Sequence, residues 1–246
     1  MAGDFCHVSR LLDQLEYPGA LDSVYLYLSE CTGEVVSEFL EQHMGDRIRC
    51  DDRFQSRLGI RVSCTSRFVS FEVNTLGGFD VPTMPLGHGS PSVSFLTVFR
   101  GGVPQGAGEK LCTNLIAVTP REHVVYFRGE LSMRSVRDLF ATMPNIKDLH
   151  LIQSVVSDRF LQPDPPSHTK LLPSLRHLYL DYFALQNDED WNPLITYLTH
   201  QTSDGQAVSL KLTRGGSTPI PPEVVRKMEG LVEELDLYYS DDEGGG

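Results

Sequence analysis

Two segments of the chain repeat one another 29 residues apart, and this self-similarity limits the possible folds more than any other feature. Residues 143–151 have the sequence MPNIKDLHL, and residues 172–180 have the sequence LPSLRHLYL. In both copies a proline is followed by apolar residues at intervals of three and two. A unit of this size has an apolar face that it cannot bury alone, so neighbouring units are expected to stack.

Helical and strand patterns alternate around these two copies. Three segments have apolar residues on one helical face: Val136, Leu139, Phe140 and Met143; Leu194, Ile195 and Leu198; Val224, Val225 and Met228. Shorter runs around residues 124–127, 208–212 and 231–237 favour strands, and residues 11–28 predict an early helix and strand. The pattern predicts an α/β fold, an irregular leucine-rich solenoid with parallel strands on the concave side and helices on the convex side.

Residues from about 50 to 108 interrupt this rhythm. Alternating apolar residues at 60–62, 69–73 and 93–99 predict three strands. The loops 77–91 and 101–108 are rich in glycine and proline. We therefore expect one leucine-rich domain over residues 1–239 with a β-rich insertion in its middle, and a disordered acidic tail at residues 240–246.

The net charge, the cysteines and the absence of a long apolar run argue against several classes of partner, site and compartment. With 21 basic and 33 acidic residues, the formal net charge is −12. A negative field repels nucleic-acid phosphates and anionic lipid, so neither is an expected partner. The 5 cysteines are scattered and contain no C-x-x-C pair, which predicts neither a disulfide framework nor a zinc site. Without an apolar run of about 18 residues or a leader-like N-terminus, the sequence favours the cytoplasm or the nucleus.

The motifs that come closest to catalytic signatures lack a required residue. Residues 106–110 (GAGEK) do not place lysine before serine or threonine, as a phosphate loop requires. Residues 87–91 (GHGSP) do not form a G-x-S-x-G elbow. We therefore predict a non-enzymatic protein with no catalytic residue, cofactor or metal. The alternatives are a hydrolase-like enzyme with its site on loops 77–91 or 101–108, and a repeat remnant with no retained function.

Alternation along the predicted strands identifies candidate contact residues. Asp148, His150, His177 and Tyr179 lie opposite the leucines of their strands and are expected on the exposed face of the sheet. Arg176 is added as the basic neighbour of its strand. The candidate partner-binding residues are Tyr25, Tyr27, Tyr126, His150, Arg176, His177, Tyr179, Ser209 and Lys211.

The repeats also carry a family resemblance. Residues 143–146, 172–180 and 220–225 (IPPEVV) resemble the degenerate leucine-rich region of F-box-like proteins from mushroom-forming fungi, through a loose P-x-L-x-x-L-x-L frame. In that family an N-terminal F-box docks onto the adaptor of a cullin-based ubiquitin ligase, and the leucine-rich region presents substrate. The residues before Leu11 are too few for an F-box. The resemblance therefore implies a protein-interaction scaffold, the substrate-recognition part of such a ligase without direct adaptor binding.

Overall fold

The fold is that of a computed structural model, in which the chain divides into two compact units, Met1–Val125 and Tyr126–Gly246. The structure describes residues 48, 52–64, 68–76, 92–98, 112–114, 116–130, 136–152, 155–156, 171–182, 184–185, 191–203, 205, 207–215 and 219–240. The predicted N-terminal repeat at 11–28 and the loops 77–91 and 101–108 lie outside these residues.

The first unit contains an antiparallel meander. Its strands are β1 (Leu58–Cys64), β2 (Phe68–Thr75) and β3 (Ser92–Val98), and β2 pairs with both of the others. Ile60 pairs with Val73 and Val62 with Phe71, and all four side chains are buried. The three strands predicted between residues 50 and 108 are therefore confirmed, and this segment is β-rich as expected.

The second unit is built on parallel strands. These are β4 (Val124–Glu130), which starts in the first unit, β5 (Asp148–Ile152), β7 (His177–Asp181), β9 (Val208–Gly215) and β10 (Val232–Ser240). They pair in the order β10-β9-β7-β5-β4. Two short strands, β6 (Val155–Val156) and β8 (Ala184–Leu185), pair separately and also in parallel. The α/β class with a mostly parallel sheet is thus confirmed.

Three helices of the described part of the chain lie between these strands. They are α1 (Val136–Ala141), α2 (Asn192–Thr202) and α3 (Pro222–Glu229), at the three places where apolar periodicity predicts a helix. Pro193 and Pro222 lie in the first turns of α2 and α3, where the missing N–H group has no helical acceptor. Met143 follows the end of α1 but is fully buried, so the predicted apolar face extends beyond the helix.

Leucines from successive strands lie side by side in the core. Leu149 pairs with Leu178 and Leu178 with Leu210, and each is at most 1% exposed. On β4, Phe127 continues this row and packs edge-to-face on Phe140 of α1, with ring centroids 5.1 Å apart. The lateral alignment of the three leucines that the repeat predicts is therefore confirmed.

The two sequence copies also adopt the same local structure. The N–H of Ile146 donates to the carbonyl of Met143 at 3.4 Å, and the N–H of Leu175 donates to the carbonyl of Leu172 at 3.1 Å. Each turn leads into its strand, β5 or β7, and the two strands pair in register. The sequence repeat therefore corresponds to a structural repeat of a turn followed by a strand.

The end of the last strand requires one correction. Ser240 is the final residue of β10 and pairs with Gly215. The acidic tail predicted at residues 240–246 therefore starts no earlier than residue 241, because the parallel pairing extends one residue further than the alternation of apolar residues indicates. Residues 241–246 lie outside the described part of the chain.

Replacing Leu178 by alanine is expected to lower the free energy of unfolding by about 3 kcal/mol, because a fully buried side chain between two other leucines leaves a cavity. Urea denaturation followed by circular dichroism measures this change. The matched control is Arg176→Ala, two residues earlier and exposed, which should change stability by less than about 0.5 kcal/mol. Equal losses in both variants would contradict the assigned core.

Candidate functional site

The side of the parallel sheet opposite the buried leucines carries three rows of mostly polar side chains, which we call the polar face. Because alternate strand residues point to opposite sides of a sheet, the strand register determines the neighbours within each row. The rows are Tyr126, Asp148, His177 and Ser209; Arg128, His150, Tyr179, Lys211 and Asp236; Ile152, Asp181, Thr213 and Tyr238. All of these residues are half-buried except Tyr238, which is exposed. The side chains of the polar face are therefore partly held in place by adjacent side chains and still partly exposed to solvent.

A histidine–aspartate pair joins β5 to β7 in the first row. His177 Nδ1 lies 2.5 Å from Asp148 Oδ1, and the two residues are direct neighbours in the register. They occupy equivalent positions of the 29-residue repeat. An ionised carboxylate only accepts hydrogen bonds, so the imidazole N–H donates. This pair holds the ring of His177 in one orientation on the face.

A second such pair runs diagonally between the same strands. His150 Nε2 lies 2.6 Å from Asp181 Oδ2, and the hydroxyl of Thr213 donates to Asp181 Oδ1 at 3.0 Å. The hydrogen bond from His150 lowers the pKa of Asp181 below its ordinary value. Burial opposes that shift, while the charge of His150, the Thr213 hydrogen bond and the charge of Lys211 add to it. Asp181 is therefore a fixed negative charge that links three strands.

Tyr179 occupies the centre of the polar face. Its ring centroid lies 5.6 Å from that of His150 and 6.3 Å from that of His177. Burial, together with the smaller effects of the nearby charges of Asp148, Tyr126, Glu234 and Asp236, raises the pKa of Tyr179 to about 12. At neutral pH the phenol is protonated and can donate a hydrogen bond in a region of negative potential.

The β10 side of the face carries a cation–π contact. The ammonium of Lys211 lies 4.6 Å from the ring centroid of Tyr238, and Asp236 is its direct neighbour in the register. An exposed contact of this type contributes on the order of 0.5–1 kcal/mol. Lys211 therefore presents a positive charge beside an exposed aromatic ring, three positions along the row from Arg128.

The structure brings most of the predicted contact residues together. Tyr126, His150, His177, Tyr179, Ser209 and Lys211 all lie on the polar face. Arg176 precedes β7 and is exposed, but it lies in the alternation phase of Leu178 and therefore outside the three rows. Tyr25 and Tyr27 lie outside the described residues, as do the loops 77–91 and 101–108 of the enzymatic alternative.

Sequence reasoning left out several residues of the same face. Arg128, Asp181, Thr213, Asp236 and Tyr238 were not among the candidates. The period-two alternation that selected Tyr126 and Tyr179 would also have selected Arg128 and Asp181, two residues further along each strand. The diagonal contact between His150 and Asp181 carries no sequence signal, because it depends on the parallel register of β5 and β7.

The first row also places a carboxylate, an imidazole and a hydroxyl on adjacent strands, in the order Asp148, His177, Ser209. A hydrolytic triad needs a hydrogen bond between base and nucleophile and donors for the oxyanion. In this row His177 forms a side-chain hydrogen bond with Asp148. The arrangement orients an imidazole, which suits it to hydrogen-bonded recognition.

Searches for metal-ligand clusters and membrane spans over the described residues are negative. No group of three or more His, Cys, Asp or Glu side chains is placed to hold one metal ion in that part of the chain. None of its helices has the length and apolar character that a membrane crossing needs. Comparisons of the chain with protein-family models, with curated proteins and with solved structures find no match.

Replacing Asp181 by asparagine is expected to lower the free energy of unfolding by about 1–2 kcal/mol near neutral pH, because a charge-assisted hydrogen bond is lost. The pKa of Asp181 is lower in the folded state. The stabilisation is therefore fully present above the ordinary aspartate pKa of about 4 and disappears as the pH falls through the lower, folded value. Urea denaturation over a series of pH values measures the difference between the two proteins.

The control for this variant is Glu233→Gln, which removes one exposed carboxylate from the same unit. Its stability should follow the wild-type pH profile closely. A stability loss in Asp181→Asn that stays constant down to the acidic end of the series would show that the carboxylate charge does not contribute as described.

Proposed function

We propose that the chain is a protein-interaction scaffold that binds a partner protein through the polar face. The observation that carries this proposal is the central position of Tyr179 between two histidine–aspartate pairs. Side chains that are ordered before binding lose less conformational entropy when a partner docks. The hydrogen-bonded pairs order both histidine rings, and the rings in turn limit the positions open to Tyr179.

The residue types on the face support the same function. Tyrosine and arginine are frequent among the residues that dominate binding energy, because they combine a large apolar area with a hydrogen-bonding group. Tyr126, Arg128 and Tyr179 are half-buried and lie in two adjacent rows. A partner that covers these rows would bury the aromatic rings and form hydrogen bonds or ion pairs with the carboxylates and the cations.

The finer architecture that we propose is a leucine-rich solenoid with the polar face on its concave side. The repeated turn and strand at a 29-residue spacing, with the leucines of successive copies in register, support this proposal. In such a solenoid each unit buries the apolar face of the next. The concave side would then present alternate residues of every strand to a partner.

The resemblance to fungal F-box-like proteins supports a more specific proposal, recruitment of a substrate protein for ubiquitylation. In this proposal the polar face contacts the substrate protein. The compartment expected for such a protein is the cytoplasm or the nucleus.

A triple substitution of Tyr179, His150 and Lys211 by alanine is expected to reduce partner capture at least tenfold, because it removes the centre of the polar face. The measurement is affinity purification from expressing cells with quantitative mass spectrometry. The matched control replaces the same three residue types at exposed positions elsewhere, Tyr182, His200 and Lys227. Circular dichroism shows whether each variant folds, and Lys211→Glu serves as a milder second variant.

Partners that remain bound to the triple variant and to Lys211→Glu at wild-type levels would place binding elsewhere on the protein. A partner that is lost with the polar face, and that is ubiquitylated less in cells lacking this chain, would support recruitment for ubiquitylation. If a partner is lost but its ubiquitylation does not depend on the chain, the interaction function stands and the ubiquitylation proposal fails.

Hydrolysis is the second candidate, favoured by the order Asp148, His177, Ser209 in the first row. We expect the purified protein to cleave p-nitrophenyl acetate no faster than its Ser209→Ala variant. The reason is that His177 is hydrogen-bonded to Asp148, whereas no hydrogen bond joins the described side chains of His177 and Ser209. A rate that falls at least tenfold in Ser209→Ala, with Ser70→Ala as the unaffected serine control, would favour the enzyme instead.

A further inference from the structure

The strand β10 forms the end of the pairing order in the second unit. It has 9 residues and pairs with β9 on one side. Among the described residues, no strand pairs with its other side. An edge strand presents a row of N–H and C=O groups that can pair with another extended chain.

The apolar residues of β10 are less covered than their neighbours. Leu235 and Leu237 are half-buried, whereas their partners on β9, Leu210 and Leu212, are each 1% exposed. Tyr238 and Tyr239 are 48% and 44% exposed. The leucine rows that are closed at β7 and β9 therefore remain open at β10, where one more unit would complete them.

Charge limits what can cover this edge. Within β10, Glu233 and Glu234 are exposed, Asp236 is half-buried, and the strand contains no basic residue. An antiparallel pair of two β10 strands centred at Leu235 would place Glu234 opposite Asp236 of the other copy. Like charges directly opposite each other destabilise a strand pair, and each whole chain carries a formal charge of −12. A second copy is therefore a poor occupant.

We infer that the open edge of β10 is a second docking site, which accepts an extended segment of a partner protein with alternating basic and apolar residues. Strand alternation assigns the two kinds of side chain to different sides. The basic residues would lie on the side of Asp236 and Tyr238. The apolar residues would lie on the opposite side and cover Leu235 and Leu237.

This site adjoins the polar face at Asp236 and Tyr238, but its binding contacts are the free backbone edge of β10 and the open ends of the leucine rows. A partner segment added here extends the sheet, whereas a partner on the polar face covers it. The two proposals can therefore succeed or fail independently.

The test uses a fluorescein-labelled peptide of about ten residues that alternates lysine and valine, a length suited to one strand. Fluorescence anisotropy with the full-length protein measures binding. Two control peptides are a version with glutamate in place of lysine and a version with N-methylated valines, which cannot form one line of backbone hydrogen bonds. We expect only the unmethylated lysine peptide to bind.

Two charge-matched variants locate the binding. Glu234→Lys should weaken peptide binding about three- to tenfold, because it turns an attractive contact into a repulsive one. Glu229→Lys changes the net charge by the same amount as Glu234→Lys, but at the exposed end of α3. It should leave peptide binding unchanged. A polar-face variant with alanine at Tyr179 and His150 only, which keeps Lys211 beside Asp236 and Tyr238, should bind the peptide as the wild type does.

The following results would overturn the inference. Equal binding of the N-methylated peptide would exclude strand addition, and equal weakening in both charge variants would indicate nonspecific attraction to an acidic protein. Absence of binding would remove the site. Concentration-dependent dimers in sedimentation, lost on Glu234→Lys, would assign the edge to a second copy of the chain.

Discussion

Leucine packing between the parallel strands and the helices is the interaction on which the rest of the second unit depends. Leu149, Leu178 and Leu210 lie in one row because their strands pair in register, and the register is favoured because it places all three in the core. A shift by one residue would turn every leucine to the other side of the sheet and bring the histidines and aspartates inward. Burial of the leucines therefore also positions the polar face.

The polar face follows from this packing and adds a second set of constraints. Once the leucines are aligned, Asp148 must lie beside His177, and His150 within reach of Asp181. Each pair crosses a strand boundary, so the pairs also oppose slippage of β5 against β7. The same side chains that stabilise the register are thus the ones available to a partner, which links the stability of the unit to its proposed function.

The interior strands of the sheet and its β10 edge differ in the way that the proposed docking sites require. At β7 and β9 the apolar residues have neighbours on both sides and are closed off from solvent. At β10 the same rows continue into half-buried leucines and exposed tyrosines, next to acidic side chains. A completed row favours recognition through its polar side. An incomplete row favours addition of another extended segment.

The sequence by itself determined the longer strands and the helices of the described part of the chain. The 29-residue repeat and the two periodicities predict the parallel strands, the three helices and the antiparallel strands of the first unit, because burial of one side of each element requires that spacing. They also predict that Tyr179 and His150 face away from the core. Only the tertiary structure decided which polar residues touch. Asp181 bonds His150 of β5 rather than its direct neighbour on that strand, Ile152, and Tyr179 lies near carboxylates of β5 and β10. These contacts run between strands, so the residue spacing within one strand does not encode them.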